Sequence, residues 1–146
     1  MGWGSVPKQN GAYIQDTVII ILRITLQLFN FSTMITIYHN PRCRKSRAGL
    51  AYLESKGVDF TLRNYFKEPF TRANLKEVLK KLGLPAREMI RTQEAEYKQL
   101  YKGKKLSEEE WIKVILDHPK LFKRPVVVKD DKAVWADPPE NMDILF

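Results

Sequence analysis

The stretch that decides the fold reads Met34-Ile35-Thr36-Ile37-Tyr38-His39-Asn40-Pro41-Arg42-Cys43-Arg44-Lys45-Ser46-Arg47. Its first six residues alternate in polarity and are rich in β-branched and aromatic types, which predicts a β-strand. Asn40-Pro41 indicates a turn, and a helical pattern begins directly after Cys43. The sequence therefore predicts a strand, a turn and a helix, with the only cysteine of the chain at the start of that helix.

Hydrophobic periodicity and turn residues predict the elements on either side of this stretch. The expected helices cover residues 44–56, 71–83, 85–91, 94–101, 107–118 and 138–146, and the further strands cover residues 59–65, 125–128 and 132–136. In the first helix, the inner side is expected to carry Leu50, Ala51 and Leu53. A β-α-β start implies parallel strands joined by a right-handed crossover, and a later hairpin adds antiparallel strands. An α/β fold with one mixed four-stranded sheet and flanking helices is the economical solution.

Residues 1–33 differ from the rest of the chain. Their apolar run from Val18 to Phe29 is shorter than the roughly 20 residues of a membrane span and is interrupted by Arg23. The run has no strongly basic leader and no small-residue cleavage pattern, which argues against a secretory signal. Met34 directly precedes the first predicted strand. We therefore interpret residues 34–146 as the functional domain and residues 1–33 as an N-terminal extension outside it. A start codon assigned too early would produce such an extension. The alternatives are a membrane-surface anchor and a genuine packing element, either an amphipathic helix or an extra strand.

Composition and charge narrow the possible classes. The chain has 146 residues, 44% hydrophobic and 29% charged, as expected for one globular domain. Its net charge of +8 favours anionic partners, but no basic stripe with interleaved aromatics points to a nucleic acid. One cysteine excludes an intramolecular disulfide, and with only two histidines it argues against a metal site. A lone cysteine fits a reducing compartment, so we expect a cytoplasmic monomer without a membrane partner.

Cys43 is predicted to lie where a thiol ionises readily. The N-terminus of a helix presents unpaired N–H groups and a partial positive charge, which together lower the pKa of a thiol and bind anions. Four cations flank the cysteine, namely Arg42, Arg44, Lys45 and Arg47. Position 46 holds a serine, so an oxidised Cys43 must be resolved by the thiol of another molecule. Ser46 either hydrogen-bonds the thiolate or caps the helix.

The run Ile37-Tyr38-His39-Asn40-Pro41-Arg42-Cys43, followed by Ser46-Arg47, resembles the signature of the ArsC-type arsenate reductases. That family shares a wider group with the Spx-type transcription regulators. Met89-Ile90-Arg91 and Arg124-Pro125-Val126-Val127-Val128 are similar to further family segments, and the likeness extends over residues 34–146. The resemblance implies a thioredoxin-like fold with a helical insertion and a cis peptide bond before Pro125.

The same resemblance implies a function. Cys43 would attack arsenate and form an adduct that glutathione and glutaredoxin resolve, with no bound cofactor. Arg91 and Arg124 match family arginines that hold the oxyanion, and a planar guanidinium can grip such an anion bidentately. The other matched positions around the nucleophile are His39, Asn40, Ser46 and Arg47. For His39 a purely structural role is the alternative interpretation.

One position departs from the family pattern. Family reductases carry a third arginine shortly before a proline near the C-terminus, and here that place is held by Asp137, before Pro138. An acid beside the site would repel arsenate, which leaves the physiological substrate open. The alternative function is that of an Spx-like regulator that binds RNA polymerase without redox catalysis. Such regulators commonly carry a Cys-x-x-Cys switch, and Ser46 argues against one here.

Overall fold

The computed structural model describes residues 11–29 and 34–146, and the chain divides into two compact units, residues 1–33 and 34–146. In the first unit the described residues form one helix, α1, Gly11–Phe29. Its side chains from Val18 to Leu22 are about half exposed. Among the described helices, none is long and apolar enough to cross a membrane. The extension is therefore helical where it is described, and its place outside the functional domain stays a prediction.

The second unit is built on the predicted mixed sheet of four strands. These are β1 Ile35–His39, β2 Thr61–Asn64, β3 Val126–Lys129 and β4 Lys132–Trp135. Their order in the sheet is β2-β1-β3-β4. β1 runs parallel to β2 and antiparallel to β3, and β3 and β4 form the hairpin. The fold is thioredoxin-like, as the resemblance implied.

Seven helical segments follow α1 in the described chain. The α-helices are α2 Arg44–Ser55, α3 Arg72–Leu82, α4 Ala95–Leu100 and α5 Glu108–Asp117. The 3₁₀ helices are Ala86–Met89, Pro119–Leu121 and Pro139–Leu145. Ser107 and Glu110 form the predicted capping box of α5, and Gly83 ends α3 with a φ of 66°. The segments predicted after Pro85 and Pro138 are 3₁₀ rather than α-helical, and β2 is shorter than the predicted 59–65.

Apolar side chains alternate between the two faces of the sheet. Ile37 and Val127 face α2 and the C-terminal 3₁₀ helix, where they pack with Leu53 and Met142. The opposite face packs against the helices between β2 and β3. Its contacting residues are Tyr38, Val126, Val128 and Ala133. On α2 the buried positions are Ser46, Gly49 and Leu53. Ala51 is exposed, so its predicted place on the inner side is wrong.

Candidate active site

The loop between β1 and α2 holds Cys43 by hydrogen bonds to Asn40. The main-chain N–H of Cys43 donates to the Asn40 carbonyl oxygen at 3.0 Å. The Asn40 side-chain oxygen accepts from the N–H of Arg42, also at 3.0 Å. Cys43 is the N-cap residue of α2, with extended backbone angles of φ −94° and ψ 123°, and its carbonyl accepts the N–H of Arg47. The thiol thus lies at the helix N-terminus, as the sequence predicted.

The thiol of Cys43 is partly buried, and burial alone would raise its pKa. The main-chain N–H groups of Ser46 and Lys45 and the guanidinium of Arg124 hydrogen-bond the thiolate and outweigh burial, so the pKa of Cys43 is lowered. The direction is that expected for a helix N-terminus. The cation that hydrogen-bonds the thiolate is Arg124, far along the chain.

Ser46 joins the ends of the loop through a fully buried hydroxyl. Its Oγ accepts the main-chain N–H of Asn40 at 3.0 Å and lies 2.8 Å from Nδ1 of His39. The hydroxyl thus contacts both ends of the loop, and the N-cap residue Cys43 makes no side-chain cap hydrogen bond. The main-chain N–H of Ser46 is the group of this residue that lowers the pKa of the Cys43 thiol.

His39 is 4% exposed at the end of β1. Burial lowers the pKa of His39, a hydrogen bond to the main chain of Ser46 raises it, and the charge of Arg47 lowers it further, with a net downward shift. The direction of this pKa shift favours the neutral imidazole. A neutral ring bonded to the Ser46 hydroxyl favours the structural interpretation of His39. Arg47 also stabilises the loop, because its guanidinium donates a hydrogen bond to the Pro41 carbonyl at 3.0 Å.

The two candidate arginines converge on one carbonyl. Arg124 is 7% exposed, and its Nη1 donates to the Lys120 oxygen at 2.7 Å. Arg91 reaches the same oxygen from Nη1 at 3.3 Å. The Nε of Arg124 is buried with no hydrogen-bond partner among the described residues. The peptide bond between Arg124 and Pro125 is cis, as the resemblance implied.

Arg91 differs from Arg124 in being paired. Its Nη1 lies 2.7 Å from a carboxylate oxygen of Glu94, and both side chains are less than one-fifth exposed. The other Glu94 oxygen lies 3.6 Å from Nζ of Lys120. Glu94 was not identified from the sequence. Its contact means that Arg91 carries less uncompensated charge than Arg124.

Tyr65 is a further residue that the sequence analysis missed. It is buried directly after β2, and its hydroxyl donates to the Phe122 carbonyl at 3.4 Å. Burial raises the pKa of Tyr65 to about 12, although the charges of Arg124 and Arg91 lower it. The charge of Cys43 also acts on this hydroxyl. The structure thus brings the thiol, both arginines and Tyr65 together. The signal that could have found Tyr65 is its place at the carboxyl end of a strand parallel to β1.

A cleft of about 590 Å³ opens beside Arg124, at the carboxyl ends of β1 and β2. It is lined by Asn40, Pro41, Arg42, Asn64, Phe66, Lys67, Lys120 and Arg124. Ligands of open α/β sheets bind at such an edge. The lining contains four cations and no carboxylate, so the cleft suits an anion. Within residues 11–29 and 34–146, no three His, Cys, Asp or Glu side chains form a group that could hold a metal ion.

Asp137 is part of an ion pair. A carboxylate oxygen lies 2.6 Å from Nζ of Lys45, in the first turn of α2. Asp137 is not among the residues that line the cleft. The expectation of a bare acid that repels the substrate is therefore corrected, because a cation from the nucleophile's own helix compensates the charge. The Lys45 side chain is 61% exposed, so the pair adds little stability.

We expect Arg124→Gln to raise the pKa of Cys43. The variant removes a hydrogen bond and a positive charge that favour the thiolate over the thiol. Ultraviolet absorbance of the thiolate, followed against pH, measures the shift in the only cysteine of the chain. Lys132→Gln is the matched control, because it removes one exposed cation at the hairpin end of the sheet. An unchanged titration in Arg124→Gln would show that the helix N-terminus alone sets the pKa.

Comparison with known proteins identifies the family of the chain. A sequence model of the ArsC family matches residues 38–145. The uncharacterized protein YfgD of Escherichia coli K12 is 44% identical over 110 residues, 74% of this chain and 92% of that protein. The arsenate reductase of Haemophilus influenzae is 40% identical over 110 residues, 74% of this chain and 95% of that protein. A solved structure, the arsenate reductase from Vibrio cholerae, superposes with a TM-score of 0.74 at 36% identity and covers 78% of this chain and 98% of that one. A family match over most of the chain and a shared fold lead to one conclusion, that this protein belongs to the ArsC family.

Proposed function

We propose that the protein is a thiol-dependent arsenate reductase, with Cys43 as nucleophile and glutathione with glutaredoxin as electron donor. The observation that carries the proposal is the thiol of Cys43, whose pKa is lowered by two main-chain N–H groups and by Arg124. The three residues that precede Cys43, together with Arg124, line a cleft that contains cations and no carboxylate. Attack on an oxyanion requires at least a nucleophile and a neighbouring site that binds the anion. The named reductases among its relatives support arsenate as that oxyanion.

The first chemical step forms a sulfur–arsenic bond. The Cys43 thiolate attacks arsenic, and one arsenate oxygen leaves as water after taking up protons. The Nε of Arg124, which has no partner among the described residues, is free to donate to an oxygen of the adduct. The main-chain N–H groups at the start of α2 stabilise the same negative charge. Arg91, paired with Glu94, acts at longer range through its charge.

The second step transfers two electrons to arsenic, and the third step regenerates the Cys43 thiolate. A glutathione thiolate attacks the Cys43 sulfur, the sulfur–arsenic bond breaks, and its electron pair reduces arsenic from the +5 to the +3 state. Arsenite leaves, and Cys43 remains as a mixed disulfide with glutathione. A glutaredoxin thiolate then attacks the glutathione sulfur and releases the Cys43 thiolate. One arsenate and two thiols yield one arsenite, one disulfide and one water.

The site also suggests where the protein works. Cys43 is the only cysteine, so the cycle depends on thiols supplied from outside, which a reducing compartment provides. We therefore place the reaction in the cytoplasm. All the site residues named above lie in residues 34–146, and we propose that this domain acts as a monomer, without a nucleic-acid or membrane partner and without a bound cofactor.

The proposal is tested by following NADPH oxidation with glutathione, glutaredoxin and glutathione reductase supplied. We expect oxidation that depends on arsenate and is absent with phosphate, which has the same charge and shape but is not reduced. The absence of an arsenate-dependent rate in the natural protein would refute the proposal. If activity then appeared in Asp137→Arg, the natural protein would be a member of the family that acts on another substrate.

We expect Asp137→Asn to lower the KM for arsenate by about two- to fivefold, the effect of one partly exposed charge. The variant removes the acid that is paired with Lys45 and leaves that cation free in the first turn of α2. Steady-state kinetics of arsenate reduction measure the change. Asp131→Asn, at the exposed hairpin turn, is the control of equal charge. A higher KM in Asp137→Asn would instead mean that the ion pair is needed to hold the first turn of α2.

A further inference from the structure

Arg124 holds a buried positive charge that no acid of the described chain neutralises. Its Nη1 donates instead to two neutral acceptors, the carbonyl oxygens of Lys120 at 2.7 Å and of Phe122 at 3.4 Å. Glu94, an acid near both arginines, pairs with Arg91 rather than with Arg124. A buried cation without a paired acid is costly. Neutral acceptors offset part of that cost and leave the charge available to an anion.

The hydroxyl of Tyr65 is a third neutral group beside this guanidinium. It donates to the same Phe122 carbonyl oxygen that accepts from Arg124, and both contacts measure 3.4 Å. A hydrogen bond from Arg124 favours the ionised form of the phenol, but burial outweighs it and raises the pKa of Tyr65 to about 12. The hydroxyl is therefore neutral at neutral pH. It contacts Arg124 without cancelling the charge, as a carboxylate in its place would do.

The ring of Tyr65 is fixed by the core rather than by the site. It is 1% exposed and directly follows β2. Its centroid lies 4.8 Å from that of Phe66, 5.5 Å from that of Phe70 and 5.8 Å from that of Phe122. A ring packed in this way has only two side-chain torsions to restrain, whereas arginine has a long side chain with many rotamers. The phenol can therefore serve as a rigid support for the more flexible guanidinium.

Arg124 needs such a support because a second guanidinium is close. Arg91 donates to the same Lys120 oxygen at 3.3 Å, and two cations that share one acceptor repel each other. We propose that Tyr65 is a positioning residue, whose hydroxyl holds the Arg124 guanidinium beside the Cys43 thiolate and the substrate oxyanion. The inference rests on the proposed function for its effect on arsenate. Its effect on the thiol is measured without arsenate.

The test compares the natural full chain with Tyr65→Phe, Arg124→Gln and the double variant. Tyr65→Phe removes one hydroxyl and keeps the ring in the core. Ultraviolet absorbance of the Cys43 thiolate, followed against pH, is the first measurement. In Tyr65→Phe the pKa of Cys43 is expected to rise by about half a unit, because Arg124 then favours the thiolate less. In the Arg124→Gln background the same change is expected to have no further effect, since the hydroxyl acts through the guanidinium.

Tyr97→Phe is the matched control. Tyr97 is 6% exposed, and its hydroxyl also meets an arginine, because it accepts from Nη1 of Arg87 at 3.2 Å. Neither residue lines the cleft. Both tyrosine variants are expected to unfold at similar urea concentrations, since each loses one hydroxyl and keeps its ring. In the coupled assay kcat/KM for arsenate is expected to fall about three- to tenfold in Tyr65→Phe, the effect of one hydrogen bond, and to stay unchanged in Tyr97→Phe.

Three outcomes would overturn the inference. They are an unchanged pKa of Cys43 in Tyr65→Phe, equal changes in Tyr65→Phe and Tyr97→Phe, and an effect of Tyr65→Phe that persists in full in the Arg124→Gln background. A coupled shift of the Cys43 pKa combined with no arsenate reduction by the natural protein would refute the proposed function and keep the positioning role. Arsenate reduction with no such shift would keep the reductase and refute the role of Tyr65.

Discussion

Cys43→Ser is expected to remove arsenate-dependent NADPH oxidation, a loss of at least about a thousandfold. A serine hydroxyl does not ionise near neutral pH, and the hydrogen bonds that favour the Cys43 thiolate cannot make it do so. An alkoxide ester of arsenate would also give an incoming thiol no sulfur to attack. The coupled glutathione and glutaredoxin assay measures the loss, and no described residue can replace the thiol, because Cys43 is the only cysteine.

The stability of this variant distinguishes lost chemistry from lost structure. Cys43 is the N-cap of α2 and makes no side-chain cap hydrogen bond, whereas serine is a preferred N-cap residue. We therefore expect Cys43→Ser to unfold at the same urea concentration as the natural protein or at a higher one. Activity that survives in a folded Cys43→Ser would remove Cys43 from the mechanism. That result would favour the alternative function, an Spx-like regulator that binds RNA polymerase, because such binding needs no ionised thiol.

Local signals in the sequence were enough to predict the sheet and the position of the nucleophile. Alternation in residues 34–39 predicted β1, and the apolar run at Pro125 predicted the short strand β3. The turn at Asn40 and the helical pattern after Cys43 placed the thiol at a helix N-terminus, where the structure has it. These features depend on neighbours within a few residues, which is the range over which sequence patterns are informative.

The rest of the site depends on contacts between segments distant in sequence. Sequence neighbours suggested four flanking cations around Cys43, whereas the guanidinium that hydrogen-bonds the thiolate belongs to Arg124. Glu94, which pairs with Arg91, and Lys45, which pairs with Asp137, are ordinary charged residues until the fold sets them beside their partners. The lining of the cleft is likewise assembled from three segments that are distant in sequence. The resemblance supplied Arg91 and Arg124 because it carries information about three-dimensional neighbours that periodicity does not.

The inner face of α2 was also predicted in part. Periodicity favoured the apolar Ala51, but the position that meets the sheet is Gly49, which is buried and carries no side chain to signal the contact. A β-carbon added at Gly49 would overlap Cγ of Pro125 and touch the carbonyl oxygen of Ala136 at 3.5 Å. The helix that begins at Cys43 thus approaches the sheet more closely than any other residue would permit, directly beside the Arg124–Pro125 segment.

Gly49→Ala is therefore expected to destabilise the fold by about 1–3 kcal/mol, the usual range for overpacking. Helix propensity alone predicts the opposite sign, a gain of about 0.5–1 kcal/mol for alanine over glycine inside a helix. The proline ring cannot swing aside as a flexible side chain could, so α2 has to move away from the sheet. That movement carries Cys43 away from Arg124, and kcat/KM for arsenate is expected to fall together with stability.

Urea unfolding and the coupled assay, run on the same preparations, measure both effects of Gly49→Ala. Ala48→Gly is the matched control, because residue 48 is exposed on the same helix. It is expected to cost about 0.5–1 kcal/mol through helix propensity and to leave kcat/KM unchanged. If Gly49→Ala proved as stable as the natural protein or more so, propensity would have decided the outcome, and the close packing of α2 against Pro125 would not be what sets the distance between Cys43 and Arg124.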